Sequence, residues 1–136
     1  MKSYLFVSFL LALSLVYRSN GFCFKVDWQI HILNGLAKKL LIHPTSNDGK
    51  DLGSHLLNYG DDFVWQFCEN YGNVYYSTFF MDYLANRTVY NYEIERNCYQ
   101  GIRTGSCYWL VRLDGFYLNG KNTPFPGGGW VKYYNW

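Results

Sequence analysis

Short runs in which apolar and polar residues alternate, broken by turn residues about every 10–15 positions, recur along this chain and leave it few possible folds. The clearest run sets Phe63, Trp65 and Phe67 on one strand face and Val64, Gln66 and Cys68 on the other. Trp28, Ile30 and Ile32 alternate in the same way with Gln29 and His31. Further strands are predicted over residues 40–43, 74–81, 88–94, 108–113, 116–118 and 130–136. In the third of these Tyr90, Tyr92 and Ile94 share a face, and in the fourth Trp109, Val111 and Leu113 point inward. Asn34-Gly35 and Asp114-Gly115 read as turns, Asn47-Asp48-Gly49 turns within a polar loop over 44–53, and Asn70-Tyr71-Gly72-Asn73 reads as the close of a hairpin. No stretch beyond residue 21 has helical periodicity. The fold class is therefore all-β, an antiparallel β-sandwich of about eight strands. The 14 Tyr, 10 Phe and 5 Trp suit strands, and most of these rings are expected to form the core.

The first 21 residues read as a secretory signal peptide, with Lys2 as the charged start and an apolar run from Tyr4 to Tyr17. Ser19 and Gly21 stand at −3 and −1 of a cut after residue 21; a cut after Cys23, with Gly21 at −3, would remove a cysteine. The apolar run is shorter than the roughly 20 residues that span a bilayer, so no membrane insertion is expected after cleavage. Residues 22–136 are then a single domain with 10 basic and 10 acidic side chains, because Lys2 and Arg18 leave with the signal. That balance lacks the basic footprint of a nucleic-acid binder. Cys23, Cys68, Cys98 and Cys107 form an even set in a small secreted chain, which favours disulfides over metal. Three connectivities are possible; the short spacing favours Cys98–Cys107, leaving Cys23 for Cys68. Asn86-Arg87-Thr88 is an N-x-T sequon, so Asn86 is expected to carry a glycan on a surface loop. The protein is expected to be secreted, extracellular and monomeric.

Catalytic constellations are scarce. His31 and His43 could face each other across a first hairpin, yet no Cys or carboxylate stands beside them at ligand spacing. Asp61-Asp62 precedes a strand, where carboxylates bond turn amides, and Glu93 and Glu95 alternate along a polar strand face. A glycosidase needs two carboxyls flanking a cleft, and no G-x-S-x-G elbow is present. Gly127-Gly128-Gly129 lacks the following helix of a phosphate loop, and residues 47–51 fail the calcium-loop pattern. No metal, cofactor or catalytic residue is expected. Such a domain acts by binding, with a carbohydrate-binding module as the alternative because Tyr and Trp can stack on sugars.

The motifs Ile30-His31-Ile32-x-Asn34-x-Leu36, Leu40-x-Ile42-His43, Asp51-Leu52-Gly53, Phe63-x-Trp65-x-Phe67 and Cys107-x-Trp109 occur in that order. With the aromatic strand after the hairpin, Cys98 ahead of Cys107, and Asp114-Gly115, they resemble the plant self-incompatibility S-protein family, the S-protein homologues. The resemblance runs from about Trp28 to Leu118. It implies a non-catalytic plant signalling ligand that binds a cell-surface receptor, as the family's pistil-expressed founders do in rejecting incompatible pollen. Recognition is expected in loops, here 44–53 and the segment 96–106, whose unpaired charges make Asn47, Asp48, Lys50, Asp51, Arg96 and Arg103 the receptor-binding candidates. The family usually carries cysteines where this chain has Pro44 and Ser77. Their joint loss implies that those positions normally bridge each other. Cys98–Cys107 is then the retained disulfide and Cys23–Cys68 a substitute staple, reached by an N-terminal segment that crosses outside the sheet.

Overall fold

A computed structural model of the chain describes residues 23–70 and 72–136. The expected signal peptide, residues 1–21, lies outside the described residues. The described residues form ten strands and one short helix: β1 (Asp27–Asn34), β2 (Leu40–Ser46), β3 (His55–Leu57), β4 (Asp62–Cys68), β5 (Tyr75–Phe80), β6 (Leu84–Tyr90), α1 (Tyr92–Glu95), β7 (Tyr99–Gln100), β8 (Thr104–Arg112), β9 (Gly115–Asn119) and β10 (Val131–Tyr134). Sheet one runs β10-β9-β8-β1-β4, with β7 also paired to β8; sheet two runs β3-β2-β5-β6. All ladders are antiparallel except β1 against β8, which is parallel.

The alternation seen in the sequence decides which face each sheet buries. Trp28, Ile30 and Ile32 of β1, Trp65 and Phe67 of β4 and Trp109 and Val111 of β8 turn inward from sheet one. Leu40, Ile42, Tyr75, Phe79, Ala85 and Val89 meet them from sheet two in one hydrophobic cluster. Rings cross the gap between sheets: Trp28 to Tyr90 at 5.6 Å, Phe67 to Tyr75 at 4.6 Å and Phe79 to Phe116 at 4.8 Å. The Trp28 indole fits because its neighbour in the parallel register is Gly105. A Cβ at that position would come within 2.5 Å of the indole ring.

Side chains of sheet one also close the edge of sheet two. The Trp109 indole N–H donates to the Val89 carbonyl at 2.8 Å, and the Tyr134 hydroxyl to the Thr88 carbonyl at 3.0 Å. Arg87 returns the contact by donating to the Asn135 carbonyl at 2.7 Å. At the far end Asn34, fully buried, satisfies its whole amide: Nδ2 donates to the carbonyls of Lys38 and Leu57, and Oδ1 accepts from the Leu36 amide. The Asn34-x-Leu36 motif is thus a clasp on the turn between β1 and β2.

Several expectations are corrected. There are ten described strands rather than about eight, because β3 and β7, at three and two residues, are too short to alternate. Neither β1–β2 nor β4–β5 is a hairpin: both connections cross between sheets, which places His31 and His43 in different sheets. The strand expected over 88–94 is displaced to Leu84–Tyr90, and α1 follows it. Asn91 caps that turn, its Oδ1 accepting from the Ile94 amide at 2.7 Å, while Ile94 packs into the core. β2 continues through Pro44 to Ser46, and β8 stops at Arg112, which leaves Leu113 exposed at the turn. Asn86 lies on edge strand β6, not on a loop. The expectation for the rings holds: of the described aromatic side chains eight are buried in the core, and Phe63, Tyr133, Tyr134 and Trp136 pack against it. A two-layer sandwich has a single interior, and the other rings lie on outer faces and loops.

Cys23 is bonded to Cys68, and Cys98 to Cys107. The first bond ties the segment ahead of β1 to the outward face of β4; the second anchors the turn after α1 onto β8. Pro44 and Ser77 are both buried and stand directly opposite each other across β2 and β5. Cysteines at those two positions would therefore be neighbours.

Candidate functional site

The register brings both candidate loops to one end of the sandwich. In sheet two Ser46, Tyr75 and Tyr90 stand in one row; in sheet one Asp27, Cys68 and Thr104 do. The connections leaving these rows are 47–54, 69–74 and 91–103. Between the second and third of these lies a cleft of about 600 Å³, lined by Lys25, Glu69, Asn73, Tyr90, Tyr92, Glu93 and Glu95 among others, so the two sheet ends face each other across it.

Local bonds fix most of the candidate residues of the first loop. Asn47 reaches across to the 69–74 connection, donating to the Gly72 carbonyl at 2.7 Å and accepting from the Val74 amide at 3.1 Å. Asp48 accepts from the Ser46 hydroxyl, and this bond holds its carboxyl below the usual range. Gly49, with φ of +91°, makes the turn possible. Asp51 accepts from the Gly53 amide at 2.8 Å and lies 2.5 Å from His43 Nε2; the amide first and the histidine second lower its pKa. The expectation of unpaired charges is therefore corrected for Asp48 and Asp51. Lys50 is exposed at the loop tip. In the second segment Arg96 lies over the Tyr92 ring, 4.9 Å from its centre, and Arg103 is exposed in the β7–β8 hairpin with its carbonyl accepting from the Asp27 amide.

Ser54, His43 and Asp51 form a hydrogen-bonded chain, with His43 Nδ1 3.0 Å from Ser54 Oγ. These are the residue types of an acyl-transfer triad. However, the serine meets Nδ1 and the aspartate Nε2, the reverse of the working arrangement, and the group sits in solvent rather than in a water-excluded site. Its effect here is to fasten the loop to β2. His31 is a ligament in the other sheet, stacked on Tyr108 at 4.0 Å and 2.8 Å from Asp62 through Nδ1. Among the described residues no group of three His, Cys, Asp or Glu is placed to hold a metal, and no helix is long and apolar enough to cross a membrane. A second cleft, about 370 Å³, opens at the opposite end, where Arg112 lies 4.1 Å over the Phe125 ring.

Sequence reasoning missed the acidic wall of the first cleft. Asn91 followed by Glu93 and Glu95 is a helix-start pattern, masked by the alternation of Tyr90, Tyr92 and Ile94. At the base of the cleft the buried Tyr90 hydroxyl donates to Glu95 at 2.6 Å. Burial first, then Glu95, pushes the Tyr90 phenol far up; burial also raises Tyr75 and Tyr133, and Tyr134 to about 12. Such phenols hold their protons more tightly folded than unfolded. Their contribution is complete below the unfolded value of ~10 and is lost as pH rises beyond it. The melting temperature should therefore hold from about pH 7 to 9 and fall between about pH 10 and 12. Tyr90→Phe should blunt that fall. A flat or rising profile above about pH 11 would contradict the assignment.

The sequence pattern described as "Plant self-incompatibility protein S1" matches residues 29–136. S-protein homolog 1 of Arabidopsis thaliana is 31% identical over 98 residues, covering 68% of this chain and 62% of that protein. S-protein homolog 24 of the same plant is 32% identical over 110 residues, covering 79% and 68%. S-protein homolog 74 is 31% identical over 98 residues, again 68% and 62%. The match thus spans a little under two thirds of the length of the first and third of these relatives. No solved structure matches the chain. With the family pattern covering most of the sequence, and the sandwich built on the residues that carry it, the chain belongs to the plant self-incompatibility protein S1 family.

Proposed function

We propose that this chain is a secreted plant signalling ligand of the self-incompatibility type that binds a cell-surface protein receptor without catalysing a reaction. In this reading residues 1–21 are a cleaved signal, residues 22–136 are the acting domain, and the domain works as a monomer. The observation that carries the reading is that the 69–74 and 91–103 connections line a cleft at one end of the sandwich, with the 47–54 connection bound to the first of them through Asn47. Lys50, Arg96 and Arg103 are exposed charges on these connections, which a rigid double sheet positions. Glu69, Glu93 and Glu95 add an acidic wall, so the end offers both signs of charge to a partner.

The folded protein added to pollen or other plant cells should bind the surface saturably. Combining Lys50→Glu with Arg103→Glu should weaken that binding about tenfold or more, as rim and hot-spot charges do, while leaving the melting temperature unchanged. Binding that is indifferent to this pair, or absent from every tissue tried, would refute the reading. The alternative, an extracellular carbohydrate-binding module, draws on the exposed rings. Phe24, Tyr59, Tyr83, Tyr92 and Tyr99 lie on separate segments, and Tyr76 and Phe80, which share the outer face of β5, do not line the cleft, which favours the protein receptor. A glycan array should accordingly stay blank.

A further inference from the structure

The outer face of sheet two carries a row of large apolar side chains. Leu56, Leu41, Phe80 and Leu84 stand opposite one another across all four strands, and are 57%, 38%, 49% and 72% exposed. A contiguous apolar row of this kind marks a surface that something covers. The cover is indicated by the neighbouring rows. His43, Thr78 and Asn86 form the next row, and Thr45, Tyr76 and Thr88 the one after. Asn86 and Thr88 are the two recognition residues of the N-x-T sequon, and the strand period puts both on this face. Asn86 therefore sits one row from Phe80 and Leu84 on one side and one row from Tyr76 on the other.

We propose that an N-linked glycan on Asn86 folds back over this face, its first two N-acetylglucosamine units resting on Phe80, Leu84 and Tyr76. The inference rests on the secretory route proposed above. In the transfer, Asn86 Nδ2 forms the bond to the anomeric carbon of a lipid-pyrophosphate-linked oligosaccharide. The sugar–phosphate bond breaks, the lipid pyrophosphate leaves, and the displaced amide proton goes to solvent. The axial C–H groups of a pyranose make an apolar face that fits flat on an aromatic ring, and its hydroxyls stay wet at the rim. β6 is the edge of its sheet, so the same glycan stands where another strand would have to pair. The exposed rings of this face thus have a sugar partner that is the chain's own.

The test uses the whole chain secreted from a eukaryotic host, once behind its own residues 1–21 and once behind an unrelated signal. Failure of the native leader alone would count against the secretory reading and leave this inference open to test in the second form. The intact mass should show one glycan that Asn86→Gln removes. Removing the glycan, by that substitution or by enzymatic trimming of the folded protein, should raise binding of a hydrophobic dye about threefold or more. Phe80→Ser should abolish that rise. In the NMR spectrum the N-acetylglucosamine protons should be shifted upfield by the rings, and Phe80→Ser with Tyr76→Ser should return them to free-sugar positions. An unmodified Asn86 in the secreted protein, sugar signals at free positions, or dye binding indifferent to trimming would overturn the proposal. So would a dimer of the glycosylated chain that buries the row, which would assign the face to a second copy.

Discussion

Replacing Trp109 with alanine should cost about 3–5 kcal/mol, enough to unfold a domain of ordinary stability. The indole is almost fully buried at the centre of β8. Its ring is stacked 5.6 Å from Tyr134 and meets Tyr133 edge-on at 5.5 Å, so truncation opens a space lined by rings too stiff to collapse into it. The loss has a second part, because the Val89 carbonyl on the edge of sheet two would forfeit its donor. Trp109→Phe separates the two. It keeps most of the volume and should cost about 1–3 kcal/mol, the penalty of an orphaned buried carbonyl. Urea unfolding of both variants supplies the numbers. Equal losses would mean that the hydrogen bond carries the whole effect; a loss below about 1 kcal/mol for alanine would show that the ring cluster does not hold the sheets together.

Removing the Cys23–Cys68 bond should be comparably severe. It closes a 45-residue separation, for which the chain-entropy model gives about 4 kcal/mol. Cys98–Cys107 closes only 9, worth about 3 kcal/mol. Cys68 faces outward on β4, so the double replacement Cys23→Ser and Cys68→Ser buries no new polar group and reads the cross-link alone. Denaturant unfolding should show a loss of several kcal/mol with little change in the native spectrum. Adding Pro44→Cys and Ser77→Cys should recover part of the loss, because those positions are paired across β2 and β5. A loss under about 1 kcal/mol would mean that residues 23–26 stay docked without the staple.

Much of this architecture is visible in residues whose side chains obey a period of two. Phe63, Trp65 and Phe67, or Trp28, Ile30 and Ile32, announce both a strand and its buried face. What they do not announce is the partner strand. Asn34-Gly35 and Asn70-Tyr71-Gly72-Asn73 reverse the chain equally well within a sheet or between sheets, and only the packing of the two layers decides. α1 was hidden for a different reason: Tyr90, Tyr92 and Ile94 keep the alternation going, while the Asn91 side chain bonds Ile94 and turns the backbone. At the candidate site the sequence marks 44–53 and 96–106 as loops, whereas Pro44–Ser46 continue β2, Tyr99–Gln100 form β7 and β8 begins at Thr104. It could not show that Asp51 is held by His43 and Gly53, or that Glu69 faces Glu93 and Glu95, since those meetings depend on register.

The parallel pairing of β1 with β8 has a consequence for the order of assembly. β1 sits between β4 and β8, so the strand synthesised first stays open on one side until residues 104–111 have been made. Sheet two can zip through near neighbours, since β5 and β6 are joined by a short connection. Sheet one must instead wait for a contact across most of the domain, the kind of closure that places folding in the millisecond-to-second range. During that wait the aromatic face of β1 has no neighbour on the β8 side. The first strand gains its second neighbour only when β8 arrives.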